Sequence, residues 1–355
     1  MSPRFVVVCG SGGVGKTSTS AAIGLNAARS GERVLVVTVD PARRLAQALG
    51  LETIGHEAAE VDVEGAGSLA VSMLDTKAGW DSLIRRHARD EKSAERVLRN
   101  PLYDNITARF VNSHDYIAME QVNELALSVD FDLVVIDTPP SRNALDLLDA
   151  PRRMKEFFGG RLLQWLTLPY RSRLLTLASK PFLQIADRLL GAQFLGDIAE
   201  FFTLLQSMEA GFVARAQAVE TLLTSDRVSF VVVTTAEPAA GREAVYMAGE
   251  LGRRRYALER VVVNRLVTDT GEENLPPREL IAASVDGDID VNRALAGMEA
   301  SYVHRRTVAA RHAKGVDVLR AIGSPVVLVA ETDGSASGTT DGSVLSGIAT
   351  ALRGA

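Results

Sequence analysis

Gly10-Ser11-Gly12-Gly13-Val14-Gly15-Lys16-Thr17, followed by Ser18, satisfies the spacing G-x-x-x-x-G-K-[ST]. Glycines let a backbone wrap closely around phosphate, so that successive N–H groups converge on its oxygens. In such a loop Lys16 neutralises the β- and γ-phosphates of a nucleotide, and the Thr17 hydroxyl can ligate Mg²⁺. The pattern follows an apolar run, Phe5–Cys9, and opens a helix-length segment, Ser18–Ala28. A helix starting near Lys16 adds its positive dipole end to the same point. The alternative is a glycine-rich strand-to-helix turn that binds nothing, and the order strand, loop, helix argues against it.

Two carboxylates are placed to work with this loop. Asp137 closes the apolar run Leu133–Ile136, where it can hold Mg²⁺ directly or through water. A strand-end aspartate can also be a turn or cap residue, but beside a phosphate loop the metal role is the better reading. Asp40 closes Val34–Val39 and is followed by Pro41, which keeps it out of the right-handed helical region. It can be an N-cap for a helix starting near Ala42 or a carboxylate that positions water, and spacing does not separate the two. His56, His87, His114, His304 and His312 have no ligand spacing and read as surface or packing residues. Cys9 is the single cysteine, which excludes an internal disulfide and a cysteine-cluster metal site. Nothing resembles a Ser-His-Asp arrangement, and no phosphate-acceptor site marks a small-molecule kinase.

The elements that must position these groups are short β-branched runs. Besides the three above, Phe230–Val233, Val261–Val263 and Val326–Val329 read as strands buried on both faces. Helix-length segments such as Glu243–Leu251 lie between them. The alternation predicts an α/β fold, a doubly wound, mostly parallel sheet with ligands at the strand C-termini and helical insertions. The nucleotide-binding domain is expected over 1–75, 129–150 and 226–331, with helical insertions at 76–128 and 151–225. The second insertion carries a stripe of Ile198, Phe202, Leu205, Met208, Phe212, Ala216, Val219 and Leu223, spaced for one helix face. Residues 332–355 read as a flexible Gly/Ser/Thr/Asp linker with a short terminal helix at Val344–Leu352.

A net charge of −5 argues against a whole-surface nucleic-acid binder, so no nucleic-acid partner is expected. No apolar stretch approaches a membrane span, and the N-terminal run is too short for a signal-peptide core. A cytoplasmic protein is the expectation.

Taken together, GSGGVGKTS, VDPARRLAQALG, VVIDTPPSRNALDLLDAP, FVVVTTAEP and VVVNR resemble the arsenical-pump (ArsA-type) and guided-entry tail-anchored-protein ATPases, in that family's order. DTPPSRNALD and AMEQ are similar to an actinobacterial branch whose members occur as pairs of related subunits. The resemblance implies a dimeric, nucleotide-switched enzyme that binds Mg·ATP and releases ADP. It assigns to Asp40 the orientation of the attacking water, and to Asp40–Arg44 and Asp137–Asn143 the two switches. It also assigns to Asn264 a hydrogen bond to adenine, for which an amide has both donor and acceptor; the alternative is a turn residue after a strand.

Three departures matter. The family's loop reads G-K-G-G-x-G-K-[ST], and its first lysine reaches the opposite nucleotide across the dimer; here that position is Ser11. No CxxC is present for a subunit-bridging zinc, and one cysteine does not suit arsenite activation. The missing charge predicts a hetero-oligomer with a paralogue that retains the lysine, a homodimer being the alternative. Arg43 or Arg44 could instead deliver the charge in cis, although both are expected on a solvent-facing helix.

In the relatives that target tail-anchored proteins, such an insertion lines a groove for a hydrophobic helix. Phe157, Phe158, Leu162, Leu163, Trp165, Leu166, Phe182, Leu183, Phe194, Leu195, Phe201 and Phe202 are candidates for that lining, or simply pack against one another. The basic run Arg152–Arg188 suits an anionic membrane surface or a solvated helix face. Two other functions compete with the switching ATPase: a nucleotide-sensing regulatory or assembly subunit of negligible turnover, and a partitioning ATPase. The long insertion and Ser11 weigh against the latter.

Overall fold

The computed structural model describes residues 2–39, 44–103, 113–125, 127, 130–158, 192–268, 279, 290–331 and 342–353. The six β-branched runs are strands: β1 (Arg4–Gly10), β2 (Arg33–Thr38), β5 (Leu133–Asp137), β6 (Val228–Thr235), β7 (Leu258–Leu266) and β8 (Val326–Ala330). Two further strands, β3 (Ala59–Val61) and β4 (Ser68–Met73), lie outside those runs. β4 was hidden because serines interrupt its apolar residues, and β3 because it has three residues, one of them Glu60. They pair antiparallel at the sheet edge, whereas every other neighbouring pair is parallel, in the order β3-β4-β2-β5-β1-β6-β7-β8.

All five β5 residues are buried, as the continuous apolar pattern requires of a central parallel strand. Alternate side chains enter opposite layers. Phe5, Val7 and Cys9 join Leu147, Val219 and Met247 on one face, while Val6 and Val8 join Ala21, Ala22 and Ile348 on the other. The first face is covered by helices α5 (Ser113–Leu125), α6 (Ser141–Phe158), α8 (Glu209–Leu223), α9 (Pro238–Arg253) and α10 (Val291–Arg320). The second is covered by α1 (Lys16–Arg29), α2 (Arg44–Leu49) and α11 (Gly342–Arg353). α11 docks on α1, where the Asn26 amide donates to the Ala349 carbonyl at 2.7 Å.

The two helical stretches meet in a third cluster. Trp80, Leu83 and Ile84 from α3 (Thr76–His87) and Val97 from α4 (Glu91–Leu98) pack on Phe201 and Leu205 from α7 (Ala192–Ser207) and on Phe212 of α8. The stripe expected on one helix is divided between α7 and α8, which break at Met208, where the Ser207 hydroxyl donates to the Leu204 carbonyl at 2.6 Å. Leu205, Met208, Phe212, Ala216, Val219 and Leu223 are nonetheless all buried, because the break preserves the facing side.

Candidate nucleotide site

β1 delivers the glycine turn at its C-terminal end, between β5 and β6. Backbones approach too closely there for a side chain. A Cβ on Gly10 would come within 2.1 Å of the Val233 carbonyl oxygen. Gly15 has φ +96° and ψ 28°, a left-handed conformation, and caps α1 with no side-chain hydrogen bond; no acid occupies the first turn. The helix therefore presents its first amides and positive dipole end to the loop without a built-in carboxylate competing for them.

Lys16 is buried, and its Nζ donates to the Ser11 carbonyl at 2.9 Å, folding the ammonium across the loop. The Thr17 hydroxyl donates to Asp137 Oδ2 at 2.8 Å, and Ser20 and Thr38 each approach the same carboxylate at 3.4 Å. Asp137 is 1% exposed, so α1, β2 and β5 converge on one desolvated carboxylate surrounded by hydroxyls. These hard oxygen donors fit Mg²⁺, which takes few protein ligands and keeps several waters. Thr17 and Asp137 would hold the ion, whose charge offsets that of the phosphates.

Cys9 lies beneath this cluster. Burial pushes its thiol up to about 12, against the opposing effects of the Thr138 hydrogen bond and the Lys16 charge, so it packs as an un-ionised apolar side chain. Thr138, next to Asp137, donates to the Val8 carbonyl at 2.8 Å and ties β5 to β1.

Asn264, at the end of β7, is buried against the loop: Nδ2 donates to the Val14 carbonyl at 2.9 Å, and Oδ1 accepts from the Arg265 N–H at 3.0 Å. Beyond it opens a cleft of about 950 Å³, walled by Ser11, Gly12, Gly13 and Val14 on one side and by α9 and α10 on the other. Arg265, Arg305, Arg311 and Glu237 line it. Glu237 accepts from Arg311 at 2.6 Å and from His312 at 3.1 Å, and these bonds hold its carboxyl below the usual range, His312 contributing most. His312 is a packing residue: its Nδ1 accepts from the Val267 N–H at 3.1 Å, which leaves Nε2 to carry the proton given to Glu237.

The structure thus brings Gly10, Ser11, Gly12, Gly13, Val14, Gly15, Lys16, Thr17, Ser18, Asp137 and Asn264 to one end of the sheet. Asp40 and Arg43 lie outside the described residues, and Arg44 is exposed at the start of α2. Ser20 and Thr38 carry little signal in the sequence: Ser20 lies three residues after Thr17 on α1, and only the β2–β5 register sets Thr38 beside Asp137. Of the candidate groove residues, Phe201 is core and Phe202 packs against it, while the side chains of the others lie outside the described residues. At the start of the basic run, Arg152, Arg153 and Lys155 each face a carboxylate, Glu156, Asp146 and Glu220 respectively. Among the described residues, no helix is long and apolar enough to cross a membrane.

Curated relatives include the ATPase get3 of Aspergillus terreus, 26% identical over 266 residues that span 74% of this chain and 73% of that protein. The ATPase get3 of Schizosaccharomyces pombe is 23% identical over 268 residues, 75% of this chain and 74% of its own. The ATPase GET3 of Malassezia globosa is 28% identical over a shorter 149 residues, 42% of each chain. The profile of the anion-transporting ATPases matches residues 3–286, which include the glycine loop, Thr17, Asp137 and Asn264. The chain belongs to this ArsA-type ATPase family and is an ATPase that uses ATP with Mg²⁺.

Proposed function

We propose that hydrolysis of Mg·ATP at this loop drives a conformational switch between open and closed states of a dimer, and that the second subunit is a paralogue supplying the cation missing at Ser11. The observation that carries this reading is an imbalance within one site. Lys16 and Asp137 are buried and Thr17 bonds Asp137, while the loop position that would reach across a dimer is an uncharged serine. A cation delivered in trans to a transferring phosphoryl group is worth about 10³–10⁵ in rate, judging from arginine fingers. In this reading Lys16 and the loop amides hold the phosphates, Thr17 and Asp137 hold the metal, and Asp40 orients the attacking water. The two sites of such a pair are unequal, because this chain returns no equivalent charge.

The resemblance to the tail-anchored-protein ATPases supports a hydrophobic helical segment as the client, handled by the helical insertions. Peripheral contact with an anionic membrane is the weaker part of the proposal, since Arg152, Arg153 and Lys155 are already matched by carboxylates.

Single-turnover hydrolysis separates the possibilities. The chain alone is expected to be slow, and Ser11→Lys or admixture of a lysine-bearing paralogue is expected to accelerate it. Equal rates in all three would remove the paralogue from the account. Ser11 also favours a second reading, a nucleotide-sensing assembly subunit with negligible turnover. In that case Asp40→Asn would alter assembly and leave steady-state hydrolysis by the complex unchanged.

A further inference from the structure

Asn264 is placed to do more than read a base. Its side-chain amide projects from the end of β7 and donates to the carbonyl of Val14, at the heart of the glycine turn. The contact is buried, and it lies flush against the next residue: a Cβ on Gly15 would fall 2.2 Å from Asn264 Nδ2. The amide oxygen is oriented by the Arg265 N–H, and Arg265 holds a left-handed φ of +52°, uncommon for a residue with a side chain. The backbone near the end of β7 is thus bent, where the register with β8 shifts between Val263 and Leu266, and it presents the amide to the loop.

We propose that Asn264 is a positioning residue for phosphate binding: it ties the phosphate loop to β7 and holds the Val14–Gly15 turn in the conformation that aims the amides before α1 at a triphosphate. Without this bond the Val14 carbonyl loses its amide partner, and the two left-handed glycines, Gly13 at φ +76° and Gly15 at φ +96°, give the loop other conformations to visit. The amide has one further N–H and one further lone pair, so holding the loop and contacting a base are compatible. A base seated on Asn264 would then stiffen the phosphate grip through the same side chain.

The test uses the full chain with Asn264→Ala and Asn264→Thr, the threonine being suited to a strand end. Hydrogen exchange without ligand is followed across peptides covering residues 10–17. Both variants are expected to exchange about tenfold faster there, the scale of one lost buried hydrogen bond, with β5 and β6 unchanged. Calorimetry then compares Mg·ATP with Mg·tripolyphosphate, which has no base. Each is expected to bind about tenfold more weakly to the variants. If loop exchange is unaltered in the variant that keeps wild-type protection in β5 and β6, or if only ATP and not tripolyphosphate binds more weakly, Asn264 acts on the base alone and the proposal is overturned.

Discussion

Four of the described helices begin in two different ways. α3, α4 and α10 each start on an aspartate whose carboxylate accepts from first-turn amides: Asp75 from Ala78, Asp90 from Ser93, and Asp290 from Asn292 and Arg293. α1 starts on Gly15, with no side-chain cap and no acid in its first turn. The aspartate-capped helices complete themselves and contribute stability. α1 keeps its dipole end and amides for an external anion, backed by a buried lysine. The same unsatisfied N–H groups are a structural matter at three sites and a chemical one at the fourth.

This contrast can be broken most severely at Lys16. Lys16→Ala should lower hydrolysis by about 100-fold or more, the scale of lost charge-assisted bonds to phosphate, with little change in thermal stability. Asp137→Asn should follow, raising the Mg²⁺ concentration needed for hydrolysis by about tenfold while leaving metal-free nucleotide binding nearly intact. Alanine at Asp75 or Asp290 should do the opposite: each removes about 1 kcal/mol of stability in denaturant titrations and leaves ATP affinity unchanged, and alanine at Asp90 should lower stability in the same direction. The Asp90 carboxyl is held below its usual range chiefly by the Ser93 N–H, so its contribution should be present above the unfolded-state pKa and vanish as pH falls through the folded one.

The smallest effect concerns a second buried carboxylate. Glu120 is 3% exposed and faces Arg215, with Arg86 and Glu124 nearby. Burial raises its carboxyl above the ordinary range despite Arg215. A raised acid favours folding most below its unfolded-state pKa and loses that contribution as pH rises through the folded value. Glu120→Gln should flatten the stability profile across that window and leave hydrolysis alone. A matching change in ATP turnover would mean that the helical layer and the nucleotide site are coupled.

The readability of this molecule from its sequence follows the same division. The loop, Lys16, Thr17 and Asp137 were legible because their spacing and the apolar runs before them are local features. Strands buried on both faces declare themselves by continuous valine and isoleucine, but so does β8, an edge strand with Leu328 exposed, whereas β3 and β4 have too few such residues. Ser20 and Thr38 become partners of Asp137 only when α1 and β2 are brought to β5, a relation over 117 and 99 residues. The Asn264–Val14 bond spans 250 residues and has no local sign at all. The break at Met208 was invisible because the apolar spacing continues through it.

In the function proposed above, the glycine turn and the start of α1 form one anion receptor completed by Lys16. Titration of the purified chain with Mg·ATP in a calorimeter tests it most directly. One saturable site per chain is expected, displaced by ADP and lost in Lys16→Ala. A wild-type chain that gives no heat, or a variant that binds as tightly as the wild type, would contradict it.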